Sequence, residues 1–409
     1  MRFNLIAVAV AGLVLSLPLC AATLPHDGDR ALRTLLDRGK ATHSATVEVW
    51  QDGKEIGHYY PGNKAPGPIE LMSVTKSVVA LAIGQLVSDG RIKSLDQPIA
   101  DFYPEWRQGS KKDITVRMVM SHTSGLQDQR ATTAEVYPAP DAIQLALAAE
   151  LSNKPGTSFF YSNKAVNLLA GVIEKASGAP VDVFLRDGLF KAMDIHPGNW
   201  EKDKAGHPYA MAGLPLTATD LAKLGQLVNQ HGQWQGKQLI SNGYMDEMLR
   251  PGDNYPETLL WWNDPTWRHF DPNPDMPSML RKAGVPEDTV SKLASGLRNA
   301  RFDNIEAMMA GVYKALGPDG KDILADQLIG RGIGPYRLFK LTASRTFVYS
   351  GNGDGGQYVV VIPAANLVAV RQIDAENDQE QEGEGYEDFV DRVVALAEAE
   401  GRIAAPGHE

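Results

Sequence analysis

Ser73 and Lys76 form the only Ser-x-x-Lys in the chain. A serine hydroxyl attacks a carbonyl poorly until a neighbouring base takes its proton. Val79, Ile83, Leu86 and Val87 follow at helical spacing, and Gly90 stands where a C-cap belongs, so the motif opens an amphipathic helix. Three residues apart on a helix, hydroxyl and amine share one face. The helix N-terminus adds free N–H groups and positive partial charge, which favour an alkoxide or oxyanion. The same field, with partial burial, favours the neutral amine that a base requires. The other reading is a capping serine followed by a solvated lysine.

Tyr161-Ser162-Asn163 makes a second set, after the Pro155-Gly156 turn and just before a helical run. A phenol beside an ammonium can relay a proton to a leaving group. Asn163 offers an amide that can hold the lysine on one side and a substrate carbonyl on the other. Otherwise these residues are a helix cap and a packed tyrosine. A third set lies in the glycine-rich run from Tyr349 to Gln357, which leads into an apolar strand. Ser350, Gly351, Asn352, Gly353 and Asp354 are the candidates here for substrate or oxyanion binding. Glycines let backbone N–H groups approach a ligand, and a strand-edge N–H could join that of Ser73 in an oxyanion hole. The alternative is a plain loop before an edge strand.

Other chemistries lack their signatures. Gly351 to Gly356 matches G-x-G-x-x-G, but a strand follows where a dinucleotide site needs a helix. There is no Walker A loop, no G-x-S-x-G and no H-E-x-x-H among the nine histidines, so neither metal nor cofactor is expected. The 40 Lys+Arg against 50 Asp+Glu give a net charge of −10, the wrong sign for nucleic acid. A single cysteine excludes an internal disulfide.

The elements that must position these groups divide into two kinds. Arg30–Lys40 reads as a helix with Leu32, Leu35 and Leu36 on one face, followed by a hairpin around Asp52-Gly53. A second apolar hairpin spans Gln357–Gln372, and Tyr386–Arg402 closes the chain as a helix. Together they predict one α/β domain assembled from residues 23–72 and 346–409. Between them, residues 73–262 carry mostly helical periodicity, at Ser73–Gly90, Asp141–Leu151, Asn163–Ser177 and Ala218–Gln230. Residues 263–345 are weakly patterned. With Trp261, Trp262, Trp267 and Phe270 near its start, this insertion is expected to fold over the cleft as a wall or lid. The acidic run Asp374–Asp388 reads as a solvated loop.

At the N-terminus, Arg2, the apolar run Leu5–Leu15 and small residues at Cys20–Ala22 make the three parts of a secretory signal. We expect cleavage near Ala22 and an exported, periplasmic or secreted protein without a stable membrane span. Lipidation at Cys20 is the lesser alternative, because Leu17-Pro18-Leu19 lacks the usual small residue before the cysteine.

The order of the three sets, and the framework around them, resembles the penicillin-binding protein and class C β-lactamase superfamily of serine hydrolases. The most specific stretch is Ile114-Thr115-Val116-Arg117-Met118-Val119-Met120-Ser121-His122-Thr123-Ser124-Gly125-Leu126. Leu95–Ile99, Pro155-Gly156-Thr157, Thr217–Ala222, Gly232-Gln233-Trp234 and Gly356-Gln357-Tyr358 match as well, so the resemblance covers residues 28–262 and 345–400. It implies a β-lactamase/transpeptidase-like fold, an antiparallel sheet from both termini with a helical domain inserted and the site in the cleft between. It also implies Ser73 as acylated nucleophile, Lys76 as base or the base's partner, Tyr161 as general acid/base and Asn163 as a positioning residue, with His122 structural. The Gly-Gln ending looks most like the esterase and 6-aminohexanoate-oligomer hydrolase branch. β-Lactamases place Lys-Thr-Gly at the third motif; here Tyr349-Ser350-Gly351 or Gly351-Asn352-Gly353 stands instead, without a cation. Arg371 or an arginine from the insertion could replace it. The expected activity is hydrolysis of small esters or amides. The alternatives are a DD-peptidase or β-lactamase, and a non-catalytic ligand sensor.

Overall fold

The computed structural model describes residues 26–129, 132–250, 257–374 and 386–406. The signal segment, Cys20 and most of the acidic run lie outside them. Besides two short two-residue pairings, the strands in chain order are β1 (Thr46–Gln51), β2 (Lys54–Tyr59), β3 (Glu257–Thr258), β4 (Trp261–Pro265), β5 (Arg268–Pro272), β6 (Phe339–Ala343), β7 (Phe347–Gly353), β8 (Gln357–Ile362) and β9 (Leu367–Gln372). Seven of them form one sheet in the order β2-β1-β9-β8-β7-β4-β3, antiparallel throughout.

The sheet joins the two ends of the chain, as expected. β1 pairs with β9 from Thr46↔Gln372 to Gln51↔Leu367. The β1–β2 turn follows its Asp-Gly signal, with Asp52 and Gly53 both at positive φ (51° and 74°). Helices α1 (His26–Ala41) and α8 (Phe389–Ala399) cover one face, where Leu35, Val47, Val360, Ile362 and Phe389 are buried together. On the other face Val359, Val361, Val368 and Val370 pack into the larger core of the helical domain. Alternation of inward residues along each strand places both layers.

That domain contains α2 (Val74–Ser88), α3 (Leu168–Ser177) and α4 (Ala218–Asn229), close to the ranges their periodicity predicts. Gly90, at φ 70°, follows the end of α2 in the left-handed conformation that suits a helix stop. The expected amphipathic character of α2 is corrected. Val74 to Gly84 is buried on every side, so α2 is a central helix rather than a surface one.

Two further corrections concern the insertion. The sheet resumes at β3, inside the range assigned to the helical domain, and at β4, which crosses from that range into the insertion. The weakly patterned stretch is an ordered lobe built on the β5–β6 ribbon, with α5 (Met276–Lys282), α6 (Glu287–Gly296) and α7 (Ile305–Leu316). Its own core includes Phe270, Leu280, Val290, Leu293, Met308 and Val312. The lobe leaves the sheet where Pro265 pairs with Phe347, at the start of β7. Gly353, at the other end of β7, is six residue steps away, about 20 Å at roughly 3.4 Å per residue. The lobe's Glu306 lies near Asp391 of α8, whose carboxyl it helps to raise above the ordinary range, after burial, Asp388 and Asp264. The insertion therefore springs from the end of β7 opposite Gly353, as a lobe with a core of its own. Trp261 is instead a core residue, 1% exposed, whose indole N–H donates to the Ser77 carbonyl at 3.2 Å.

Candidate active site

Ser73 precedes the first turn of α2 with φ −68° and ψ −12°, and its hydroxyl makes no capping bond to the helix. The oxygen is thus left to Lys76, whose Nζ donates to Ser73 Oγ at 2.9 Å and to the Met211 carbonyl at 2.8 Å. Lys76 is 2% exposed, so the solvated-lysine alternative fails. The Met211 carbonyl is itself held in place. Asn167 Oδ1 accepts from Ala210 N–H at 2.9 Å, and the Trp200 indole donates to the carbonyls of Tyr209 and Ala212.

Tyr161 comes from a separate stretch and reaches the same spot, with its ring centroid 5.0 Å from Lys76 Nζ. His122 backs it. The two rings stack with centroids 4.5 Å apart, and His122 Nδ1 accepts the Ser162 N–H at 3.0 Å. The His122 carbonyl also accepts from Phe160 N–H at 2.8 Å, so both ends of the Phe160–Ser162 segment hang on one buried residue. Ser162 is the helix cap: its Oγ accepts from Ala165 N–H at 3.0 Å and donates to Asp128 at 2.5 Å. Asn163 donates from Nδ2 to Thr132 Oγ1 at 2.6 Å, while its Oδ1 is buried without a hydrogen-bond partner among the described residues.

The third set resolves into two kinds of residue. A Cβ on Gly351 would lie 2.7 Å from Ser77 Oγ, and one on Gly353 would lie 2.6 Å from the Leu71 carbonyl and 3.2 Å from Met72 Cβ. Only glycine lets β7 press this closely on the entry to α2. Ser350 is buried on the opposite face, which it shares with Val348 and the terminal helices, so its side chain is turned away from Ser73. By the same alternation Asn352 belongs to that face. β4 pairs with β7 only from Phe347 to Ser350, which leaves the Gly351–Gly353 edge unpaired on that side among the described residues. Asp354 is exposed in the turn that follows.

Beside Met72 lies a cavity of ≈ 160 Å³ lined by Pro68, Ile69, Glu70, Met72, Asp354 and Gln357, among others. Its charged lining residues are Glu70, Asp354 and Asp374. Burial, with Glu201 nearby, holds the Glu70 carboxyl above the ordinary range. The Tyr137 phenol is pushed up to about 12 by burial, then by Glu201, Glu70, Tyr209 and Asp354. The charged groups around this cavity are all carboxyls. Arg371, the suggested substitute cation, is fully buried beneath the Gly355-Gly356 turn and does not face the cavity.

Sequence reasoning misses the Met211 carbonyl and Asp128. The first is a backbone atom with no side-chain signal, and the second acts only through a fold-made contact. The bonds of His122 are those of a scaffold, in keeping with its expected structural role.

Comparison with known proteins identifies the family and the fold. The profile described as Beta-lactamase matches residues 29–388. The chain is 24% identical over 263 residues, 56% of its length and 67% of the relative's, to a 6-aminohexanoate-dimer hydrolase of Paenarthrobacter ureafaciens. It is 33% identical over 130 residues to the esterase EstB of Burkholderia gladioli, covering 27% of this chain and 33% of the relative. A penicillin-binding protein homologue from Caulobacter crescentus has the same fold, with a TM-score of 0.58 over 92% of this chain and 98% of its own at 15% identity. With the profile spanning most of the sequence and the fold shared, the chain belongs to the Beta-lactamase family of serine hydrolases and their penicillin-binding relatives.

Proposed function

We propose that the protein is an exported serine hydrolase that cleaves small, uncharged esters or amides through an acyl-enzyme on Ser73. The observation that carries this reading is the Lys76 amine held 2.9 Å from Ser73 Oγ at the start of a buried helix. Lys76 takes the hydroxyl proton as Oγ attacks the carbonyl carbon. The Ser73 N–H, with an edge amide of β7, stabilises the tetrahedral oxyanion. Tyr161 passes the proton to the leaving group as its bond to carbon breaks. Water then enters by the reverse route, and the freed acid leaves Ser73 restored. Export rests on the charge, apolar run and small-residue exit of residues 1–22.

The charge of the cavity next to Ser73 supports the substrate class. A β-lactam or peptide carboxylate calls for a fixed cation, a charge-assisted bond of roughly 1.5–3 kcal/mol. The cavity beside Met72 presents Glu70, Asp354 and Asp374 instead. Esterase and amide-hydrolase names among the relatives point the same way.

The test joins intact-mass spectrometry to kinetics. A fluorophosphonate should add once to the wild-type protein and not to Ser73→Ala; labelling that persists in the variant refutes the nucleophile. On one preparation, kcat/KM for p-nitrophenyl butyrate should exceed that for nitrocefin by at least about tenfold, the share expected from one missing charge-assisted bond. The reverse ratio would establish the β-lactamase alternative in its place.

A further inference from the structure

Arg371 is fully buried. Its Nε–H donates to Ser44 Oγ at 2.8 Å and its Nη2 to the Thr42 carbonyl at 3.1 Å. Nη1 donates to the carbonyls of Gly355 at 3.1 Å and Gly356 at 2.6 Å, and the guanidinium lies 5.5 Å from the centre of the Tyr386 ring. Taking a guanidinium out of water is expensive, and a buried ion is not in general a stabilising device. What this one does is geometric: a rigid fork ties three separate stretches of chain together.

One of those stretches borders the candidate active site. Gly355 and Gly356 form the turn between β7 and β8, both at positive φ (69° and 90°). A Cβ on Gly356 would lie 2.1 Å from Arg371 Nη1, so the turn sits directly on the guanidinium. The turn follows Gly353, which presses on Leu71 and Met72 immediately before Ser73. The far side of the fork is anchored at Thr42 and Ser44, in the connection from α1 to β1.

We propose that Arg371 is a positioning residue of the acyl-transfer site. By holding the 354–356 turn it fixes the edge amides of β7 at the distance from Ser73 that an oxyanion requires. The inference rests on the hydrolase reading above. A lost oxyanion donor costs about a hundred- to a thousandfold in kcat, and a displacement of about 1 Å can cost about a hundredfold. Arg371→Lys keeps the charge but loses the fork, and Gly356→Ala drives a methyl against Nη1. Each should lower kcat by about ten- to a hundredfold, while KM for p-nitrophenyl butyrate stays within about twofold. Ser44→Ala, which removes one anchor only, should lower kcat several-fold in the same pattern.

The rates are to be expressed per active site, counted by the end-point mass of fluorophosphonate adduct, so that loss of folded protein does not register. A kcat per site within about twofold of wild type in Arg371→Lys and Gly356→Ala overturns the proposal, even if their melting temperatures fall. Should neither variant fold, an unchanged kcat in Ser44→Ala overturns it. Failure of the wild-type protein to be labelled on Ser73 overturns the hydrolase reading itself, a separate outcome from the same preparation.

Discussion

Lys76 divides its amine between two kinds of oxygen. The Met211 carbonyl at 2.8 Å can only accept, so it keeps one N–H pointed at itself. In the neutral amine that bond helps turn the lone pair towards Ser73 Oγ, 2.9 Å away, and the direction of the Ser73–Lys76 hydrogen bond reverses. The Tyr161 ring stands over the same nitrogen at 5.0 Å, and the proposed mechanism uses hydroxyl, amine and phenol as one proton path. Lys76→Ala and Tyr161→Phe should each lower kcat by at least about a hundredfold, the ordinary scale for a lost acid or base. The double variant should lose far less than the product of the two, because groups that act as a unit are not additive. Steady-state rates of the four proteins decide it, and fully multiplicative losses would show two independent roles.

At the scale of elements, the site depends on how α2 and α4 are seated against the sheet. β7 sets α2 through the missing side chains of Gly351 and Gly353. α4 is seated through Glu48 of β1, which is 1% exposed and accepts from Thr219 at 2.9 Å, Tyr60 at 3.0 Å and the Trp50 indole at 3.0 Å. Burial outweighs those bonds and raises its carboxyl above the ordinary range. The folded state therefore binds this proton more tightly than the unfolded chain. The stability this contributes is complete below the unfolded pKa and is lost as pH rises through the folded one. Glu48→Gln abolishes the titration and keeps an oxygen for Thr219 and Tyr60. Its melting temperature relative to wild type should climb as pH rises upward from about 4.5. A difference that stays flat with pH would mean that Glu48 is already ionised in the fold throughout that range.

On the scale of the whole molecule, the chain is a sheet with two helical layers and an added lobe. Among the described residues, no helix is long and apolar enough to cross a membrane. Because the lobe has its own core and leaves at the Pro265–Phe347 end of β7, it should be separable from the chemistry. Replacing residues 267–344 by a short turn closes β4 onto β7 directly. We expect the shortened protein to keep its circular dichroism signature and to hydrolyse p-nitrophenyl butyrate within about threefold of the wild-type rate, as for a lobe that makes no transition-state contact. A tenfold or greater loss in correctly folded protein would return the lobe to the cleft.

The sequence alone determined what local chemistry and periodicity can carry. Ser73 and Lys76 were legible because a helix converts a three-residue spacing into a shared face. The hairpin at Asp52-Gly53 was legible because only such residues accept its turn, and the sheet's two-ended origin because β1, β8 and β9 are apolar runs flanked by turns. Long-range approach decided the rest. The spacing of Tyr161 from Lys76, the Met211 carbonyl on the amine and the seat of Arg371 beneath Gly356 join segments far apart in the chain, and no local pattern encodes them. The register of the glycine-rich motif likewise waited on the fold, because a glycine reveals which neighbour it admits only when that neighbour is in place. The lobe's position was beyond the sequence for the same reason. Its composition suggests a cover, but the end of β7 from which it springs is set by strand pairing across the sheet.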